Sequence, residues 1–286
     1  MIDYQINPQY AHLKECILSL PERFEKEGEV IYSGRNTLKV IKCGEVPMCV
    51  KAFKLPHFIN KIAYAYFRKS KAERSFIYAT RFNKLGINTP EPIAFILYKD
   101  KLGLTKSYYI CRQLDYDFTF RGISNLPRQE QETALQEFVR FTYAFHQKGV
   151  YFIDHSAGNT LIKKNTNGTF SFYLVDLNRT KFTNVTTKEG LRNLSKLEAS
   201  HNMLTIMGRE YALLTHCNTE TTTKKLIQLT DRHNKITERK SFIRNTRRKN
   251  QAPLYFIRCF SILRANTYQS KFSTFLRAAF PNCSLN

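Results

Sequence analysis

Polar and apolar positions along residues 28–54 fall into three short runs, EVIYSGRN, TLKVIKCG and VPMCVKAFK, rich in β-formers and separated by turn residues. They predict three strands. A helical period follows from about Asn60 to Asn83, closed by Gly86 with Pro90 and Pro92 beyond it. PIAFILYK (92–99) and TKSYYICRQL (105–114) predict two more strands around a KDKLG hairpin turn. The first third thus reads as a five-stranded antiparallel sheet interrupted by one helix.

Beyond Pro127 the period turns helical. Leu135, Phe138, Val139, Thr142, Phe145 and His146 make one apolar face, and Gly149 ends the helix. A strand and loop (VYFIDHSAGN), then strands TLIKK and TFSFYLVDL around an NTNG turn, lead to a helical pattern from about Thr187 to Leu214 and a helical basic tail. The expectation is an α+β chain of two lobes: residues 28–114, then a mostly helical 115–286, with 1–27 as an N-terminal extension.

Charge narrows the partner. The formal net charge is +22, and 42% hydrophobic residues suffice for a core, which argues against a disordered basic chain. The excess predicts an anionic partner. Residues 221–286 hold fourteen Lys and Arg against Asp231 and Glu238, while Lys54–Lys84 holds eight against the single acid Glu73. No docking motif for nucleic acid is visible, and no nucleic acid is expected. The N-terminus lacks a signal-peptide pattern, and no apolar run reaches the ~18 residues of a spanning helix. Seven cysteines without a CxxC spacing support neither a disulfide framework nor a zinc site, and predict buried thiols in a reducing, cytoplasmic setting.

The chemistry concentrates in Asp154-His155-Ser156-Ala157-Gly158-Asn159. Phosphoryl transfer from ATP needs a carboxylate to accept the acceptor's proton and an oxygen to hold Mg²⁺ beside the phosphates. Asp154 and Asn159 have the D-x-x-x-x-N spacing that supplies both. Asp176 ends the next apolar strand, and the intervening hairpin would return it close to Asn159 as a second Mg²⁺ ligand. Lys51 lies on the third strand, where a kinase places its phosphate-positioning lysine. Glu73, three and four residues before Phe76 and Ile77, is read as an inward carboxylate paired with Lys51. A surface pair with Lys69 or Arg74 is the alternative. A glycine-rich loop is missing: between the first two strands only Ser33, Gly34 and Arg35 could meet phosphate. Phe152 stands where a histidine usually precedes the catalytic Asp, and there is no A-P-E segment, which disfavours a protein substrate.

The runs FHQKGVYFIDHSAGNTLI, YLVDLNRTKF, VKAFK and RKSKAERSFIYATRFNKLGINTPEPIAFI together resemble the lipopolysaccharide kinases of the Kdo/WaaP (InaA-type) family over roughly residues 28–210. The resemblance implies a protein-kinase-like fold using ATP and Mg²⁺ on a sugar of the lipopolysaccharide inner core, either a heptose or Kdo on lipid A, at the cytoplasmic face of the inner membrane. It makes Asp154 the base, Asn159 and Asp176 the metal ligands, and Lys51 with Glu73 the phosphate-positioning pair. Arg179 and His155 are next suspected of meeting acceptor or phosphate, although for His155 the favoured reading is a neutral packed loop residue. The patch Arg239, Lys240, Arg244, Arg247, Arg248 and Lys249 before LYFIRCFSILR reads as a basic amphipathic helix lying on an anionic membrane, or packing on the second lobe.

Overall fold

The computed structural model describes residues 1–54, 69–101 and 103–263, with residues 247–263 as backbone only. It contains two compact units, Met1–His233 and Asn234–Asn286.

The first unit begins with an antiparallel sheet of six strands, not five, in the order β1-β5-β6-β4-β3-β2. The strands are β1 (Ile2–Ile6), β2 (Glu29–Ser33), β3 (Thr37–Cys43), β4 (Val46–Ala52), β5 (Pro92–Asp100) and β6 (Gly103–Arg112). The added strand comes from the segment read as an extension. Residues Ile2 to Ile6 pair with Tyr98 to Ala94. Helix α1 (Lys14–Lys26) then covers one face of the sheet. Its Ile17, Leu20 and Phe24 lie at helical spacing and pack on Ile41, Met48, Val50 and Ile110. Each such burial contributes about 1.5–3 kcal/mol. Helix α2 (Lys71–Lys84) covers the other face, where Ala72 and Phe76 meet Phe53, Phe95 and Leu97. A sheet covered on both faces has no solvent side, which is why PIAFILYK is a continuous apolar run. The first part of the expected helix, from Asn60 to Arg68, lies outside the described residues.

The cysteine reading requires correction. Cys16 of α1 and Cys43 of β3 form a disulfide across 27 residues of sequence. Docking of α1 over β3 brings the two thiols together, which spacing alone could not show. The cysteines therefore no longer argue for a reducing compartment. Among the described residues Cys49, Cys111 and Cys217 are free.

The second lobe is built on α3 (Arg128–Gln147), whose expected face is buried throughout. Two small sheets accompany it. Strands β7 (Phe118–Thr119), β9 (Thr160–Lys164) and β10 (Phe170–Leu174) form one, and β8 (Val150–Phe152) pairs with β11 (Thr180–Phe182). The expected helix at 187–214 is two helices, α4 (Thr187–Leu194) and α5 (His201–Thr215). Ser200 caps the start of α5, so a new helix begins there instead of continuing α4. Leu191, Leu194, Met203, Leu204, Met207 and Tyr211 close the core against α3.

Helix α6 (Thr219–Leu263) runs from the first unit into the second. In the second unit Arg239, Lys240 and Arg244 are exposed, as are Ile236, Phe242 and Ile243. Ile236 and Ile243 share a helix face on which Lys240 falls between them. Basic and apolar groups thus interleave along this stretch. The side chains of Arg247 to Lys249 and of LYFIRCFSILR lie outside the described residues. No helix among the described residues is long and apolar enough to cross a membrane.

Candidate active site

Strand register assembles the site. In the β9–β10 hairpin Leu174 lies opposite Thr160, and one step further the Val175 amide donates to the Asn159 carbonyl at 3.0 Å. Asp176 and Asn159, distant in sequence, are thereby neighbours. In the β8–β11 pair Thr180 lies opposite Phe152, and the Ile153 amide donates to the Arg179 carbonyl at 3.1 Å. That step sets Arg179 beside Asp154, where Nη1 meets Oδ1 at 3.0 Å.

Asp176 adopts φ 61°, in the left-handed region that Asp tolerates better than most residues. Its Oδ1 accepts from Lys51 Nζ at 2.7 Å and from Asn178 Nδ2 at 2.6 Å. Lys51 comes from the middle of the sheet, paired with Leu38 on β3 and Tyr109 on β6. Asn159 donates from Nδ2 to the Asp154 carbonyl at 2.8 Å, which turns its amide oxygen away from that bond. Four residues selected from the sequence, Lys51, Asp154, Asn159 and Asp176, thus converge. A cleft of about 570 Å³ is lined by three of them, Lys51, Asn159 and Asp176, together with Leu38, Tyr109 and Val175, and by Ser156 and Gly158 from the loop that carries Asp154. That volume suits a small-molecule ligand.

Burial raises the Asp154 pKa above the usual carboxylate value, and the Asp176 charge adds to this while Arg179 and Lys196 oppose it. A base with a raised pKa holds a proton better, which favours general-base work. Lys196 was not selected from the sequence, being one of 45 basic residues. It donates at 2.8 Å to the Ile153 carbonyl, directly before Asp154. Asn193 was also missed. It is fully buried, donates to the Phe152 carbonyl at 2.6 Å and meets His146 Nε2 at 3.1 Å. Nothing in an isolated helical Asn marks it as the tie between α3 and the start of this loop.

One expectation changes. Glu73 does not pair with Lys51. Its carboxylate accepts from the Ser70 amide at 3.3 Å while its own amide donates to Ser70 Oγ at 3.0 Å, closing a capping box at the start of α2, and Lys69 lies 4.0 Å away. The local helix-start signal S-K-A-E outweighs the inward reading. His155 is fully buried, so it is not placed to meet an acceptor. Its ring sits among Phe138, Phe145 and Phe152 at centroid distances of 5.5–5.8 Å. Burial holds its pKa down at about 3. Asn193 is close by, yet neither ring nitrogen has a partner at hydrogen-bond geometry. Ser33, Gly34 and Arg35 are exposed at the β2–β3 turn, and that hairpin lines the cleft through Ile31, Tyr32, Asn36 and Leu38.

The donor set suits a hard cation. Mg²⁺ is commonly held by one or two protein oxygens plus substrate phosphates. The Asp176 carboxylate and the Asn159 amide oxygen are such a pair. A dedicated cage of three or more His, Cys, Asp or Glu is absent among the described residues.

Residues 52–230 match the family model of the lipopolysaccharide kinase (Kdo/WaaP) family. The chain belongs to this family. Among solved structures, this lipopolysaccharide kinase family member is similar to one described as WaaP in complex with acyl carrier protein. The two are 13% identical, with 83% of this chain and 98% of that one covered and a TM-score of 0.57. A gentamicin complex of APH(2")-IIa is 11% identical over 74% of this chain and 84% of that one, with a TM-score of 0.46. No curated protein matches the chain. The fold is protein-kinase-like, and the family is one of phosphotransferases.

Proposed function

We propose that this lipopolysaccharide kinase family member transfers the γ-phosphate of ATP, with Mg²⁺, to a sugar hydroxyl of the lipopolysaccharide inner core. The acceptor we favour is Kdo, or else heptose, on a lipid A precursor. The observation that carries the reading is the convergence of Lys51, Asn159 and Asp176 on one cleft, with Asp154 beside them, its carbonyl held by the Asn159 amide.

Asp154 accepts the hydroxyl proton. Arg179 engages one of its oxygens at 3.0 Å, which leaves the other for the acceptor. Asn159 and Asp176 would hold Mg²⁺, which supplies charge neutralisation between the phosphates. Lys51, paired with Asp176 in this structure, would exchange that carboxylate for a phosphate oxygen. Ser33, Gly34 and Arg35 offer amides and one charge to phosphates at the turn above. Arg112 and Arg121 also line the cleft, which suits an acidic sugar better than a cationic substrate.

The acceptor's acyl chains place the reaction at the cytoplasmic face of the inner membrane, with the protein peripheral to it. The exposed Arg239, Lys240 and Arg244 support this, since each basic group near an anionic surface contributes about 1 kcal/mol. The test combines Mg²⁺-ATP with a panel of Kdo- and heptose-bearing lipid A precursors and reads phosphorylated product by mass spectrometry. Phosphorylation of one acceptor, abolished by Asp154→Ala and by Asp176→Ala, is expected. Full activity in either variant would overturn the assigned roles. Co-sedimentation with anionic but not neutral liposomes, weakened by salt, is expected of the basic helix, and equal binding to both would remove the membrane role.

A further inference from the structure

Two thiols that the proposed chemistry does not use face each other in the cleft. Cys49 on β4 and Cys111 on β6 are direct cross-strand partners, and both line the cleft beside Lys51 and Tyr109. The ladder fixes their spacing. The Gln113 amide donates to the Pro47 carbonyl at 2.9 Å, and the Phe53 amide donates to the Ser107 carbonyl at 3.0 Å. Cys49 and Cys111 lie an even number of steps from both, so they are a hydrogen-bonded pair, with Cα atoms about 5.5 Å apart. A disulfide spans roughly 4.4–6.8 Å between Cα atoms. Cys111 is buried, its Sγ 3.9 Å from the Cys49 carbonyl, whereas Cys49 is half-buried at the cleft wall.

We propose that Cys49 and Cys111 form a peroxide-oxidised modification site that closes into a reversible disulfide across the wall of this cleft. The two thiols have different roles. A hydrogen bond between the two thiol side chains, aided by the Lys51 charge and opposed by burial, holds the Cys49 pKa below the ordinary thiol value. The same bond and burial push Cys111 up. Cys49, half-buried at the cleft wall, is thus the nucleophile and the buried Cys111 the resolving thiol. The Cys49 thiolate attacks one oxygen of hydrogen peroxide, an S–O bond forms as the O–O bond breaks, and the departing hydroxide takes up a proton as water. The Cys111 sulfur then attacks the Cys49 sulfur, the S–S bond forms as the S–O bond breaks, and the leaving hydroxide takes the Cys111 proton as a second water. Two thiols lose two electrons, and one peroxide becomes two waters.

Closure must draw the side chains together from cross-strand spacing to a Cβ separation of about 3.8 Å. A bridge formed at that cost is the labile, readily reduced kind. If the cleft binds ATP, as the proposed function holds, the bridge remodels a wall next to Lys51.

The test treats the full chain with graded hydrogen peroxide, alkylates the remaining thiols and maps peptides by mass spectrometry. Expected is joint loss of alkylation at Cys49 and Cys111, with a linked peptide pair two hydrogens lighter than the free thiols and reversal by dithiothreitol. In Cys111→Ser, Cys49 is expected as a sulfenic acid trapped by dimedone. Both thiols remaining alkylatable at doses that oxidise the exposed Cys217 would overturn the proposal, as would bridging of Cys49 to a different cysteine. This readout needs no phosphotransfer, so a chain that forms the bridge but phosphorylates nothing would refute the kinase reading alone.

Discussion

His146 on α3 and His155 in the Asp154–Asn159 loop sit fully buried, and they make acid stability a direct test of the packing around that loop. Burial is the main cause that lowers both, His146 to about 4 and His155 to about 3, against an ordinary value of 6.5. With folded-state values depressed, the folded protein stays neutral at both sites while the unfolded chain takes up protons as pH falls. Stability is therefore full above pH ~6.5 and lost progressively below it, down to the folded values. Between pH 7 and pH 5 linkage gives about 2 kcal/mol per histidine, or about 4 kcal/mol for the pair. Asp154 acts in the opposite sense, since its raised pKa lets the folded state gain a proton first at lower pH. His155→Phe keeps a ring among Phe138, Phe145 and Phe152 and removes the proton site. The expected fall between pH 7 and pH 5 then drops to about 2 kcal/mol. Urea unfolding at pH 5, 6 and 7, followed by near-ultraviolet tyrosine dichroism, measures this in a chain without tryptophan. A wild-type stability that is flat from pH 7 to pH 5, or an unchanged slope in His155→Phe, would refute the buried neutral pair.

Three further outcomes are expected. Asp154→Asn should lower kcat by about 10²–10⁴-fold, as removal of a general base does, while slightly raising the melting temperature, because a partly buried carboxylate is gone. Loss of both activity and stability would contradict the geometry. Glu73→Gln should cost no more than about 0.5–2 kcal/mol in unfolding free energy, the scale of a helix cap, and leave KM for ATP near wild type. A large KM increase would restore Glu73 as the partner of Lys51. Reduction of the bridge, or Cys43→Ser, should cost about 3–4 kcal/mol from the 27-residue separation, measured by denaturant unfolding with and without dithiothreitol, and equal stability in the two states would refute it.

The order of chemistry along the chain was legible in the sequence. Strand periods placed Lys51 and the two strands that lead to Asp176, and the D-x-x-x-x-N spacing marked Asp154 and Asn159. These signals are local, because side-chain alternation and turn residues act over a few positions. Glu73 was misread although its signal was local as well: Ser70 three residues earlier marks a capping box, which outweighed an argument from helix face and charge. Tertiary structure alone decided the rest. The β1 strand needed β5 as partner, and Cys16 needed α1 laid over Cys43. Arg179 reached Asp154 through the β8–β11 register, and Lys196 and Asn193 gained roles only when α4 packed beneath the loop. Cys49 and Cys111, 62 residues apart, likewise face each other only because β4 and β6 pair. A sequence pattern reports which face of an element is buried; it carries no record of what lies against that face, and each of these contacts joins residues that local periodicity treats as strangers.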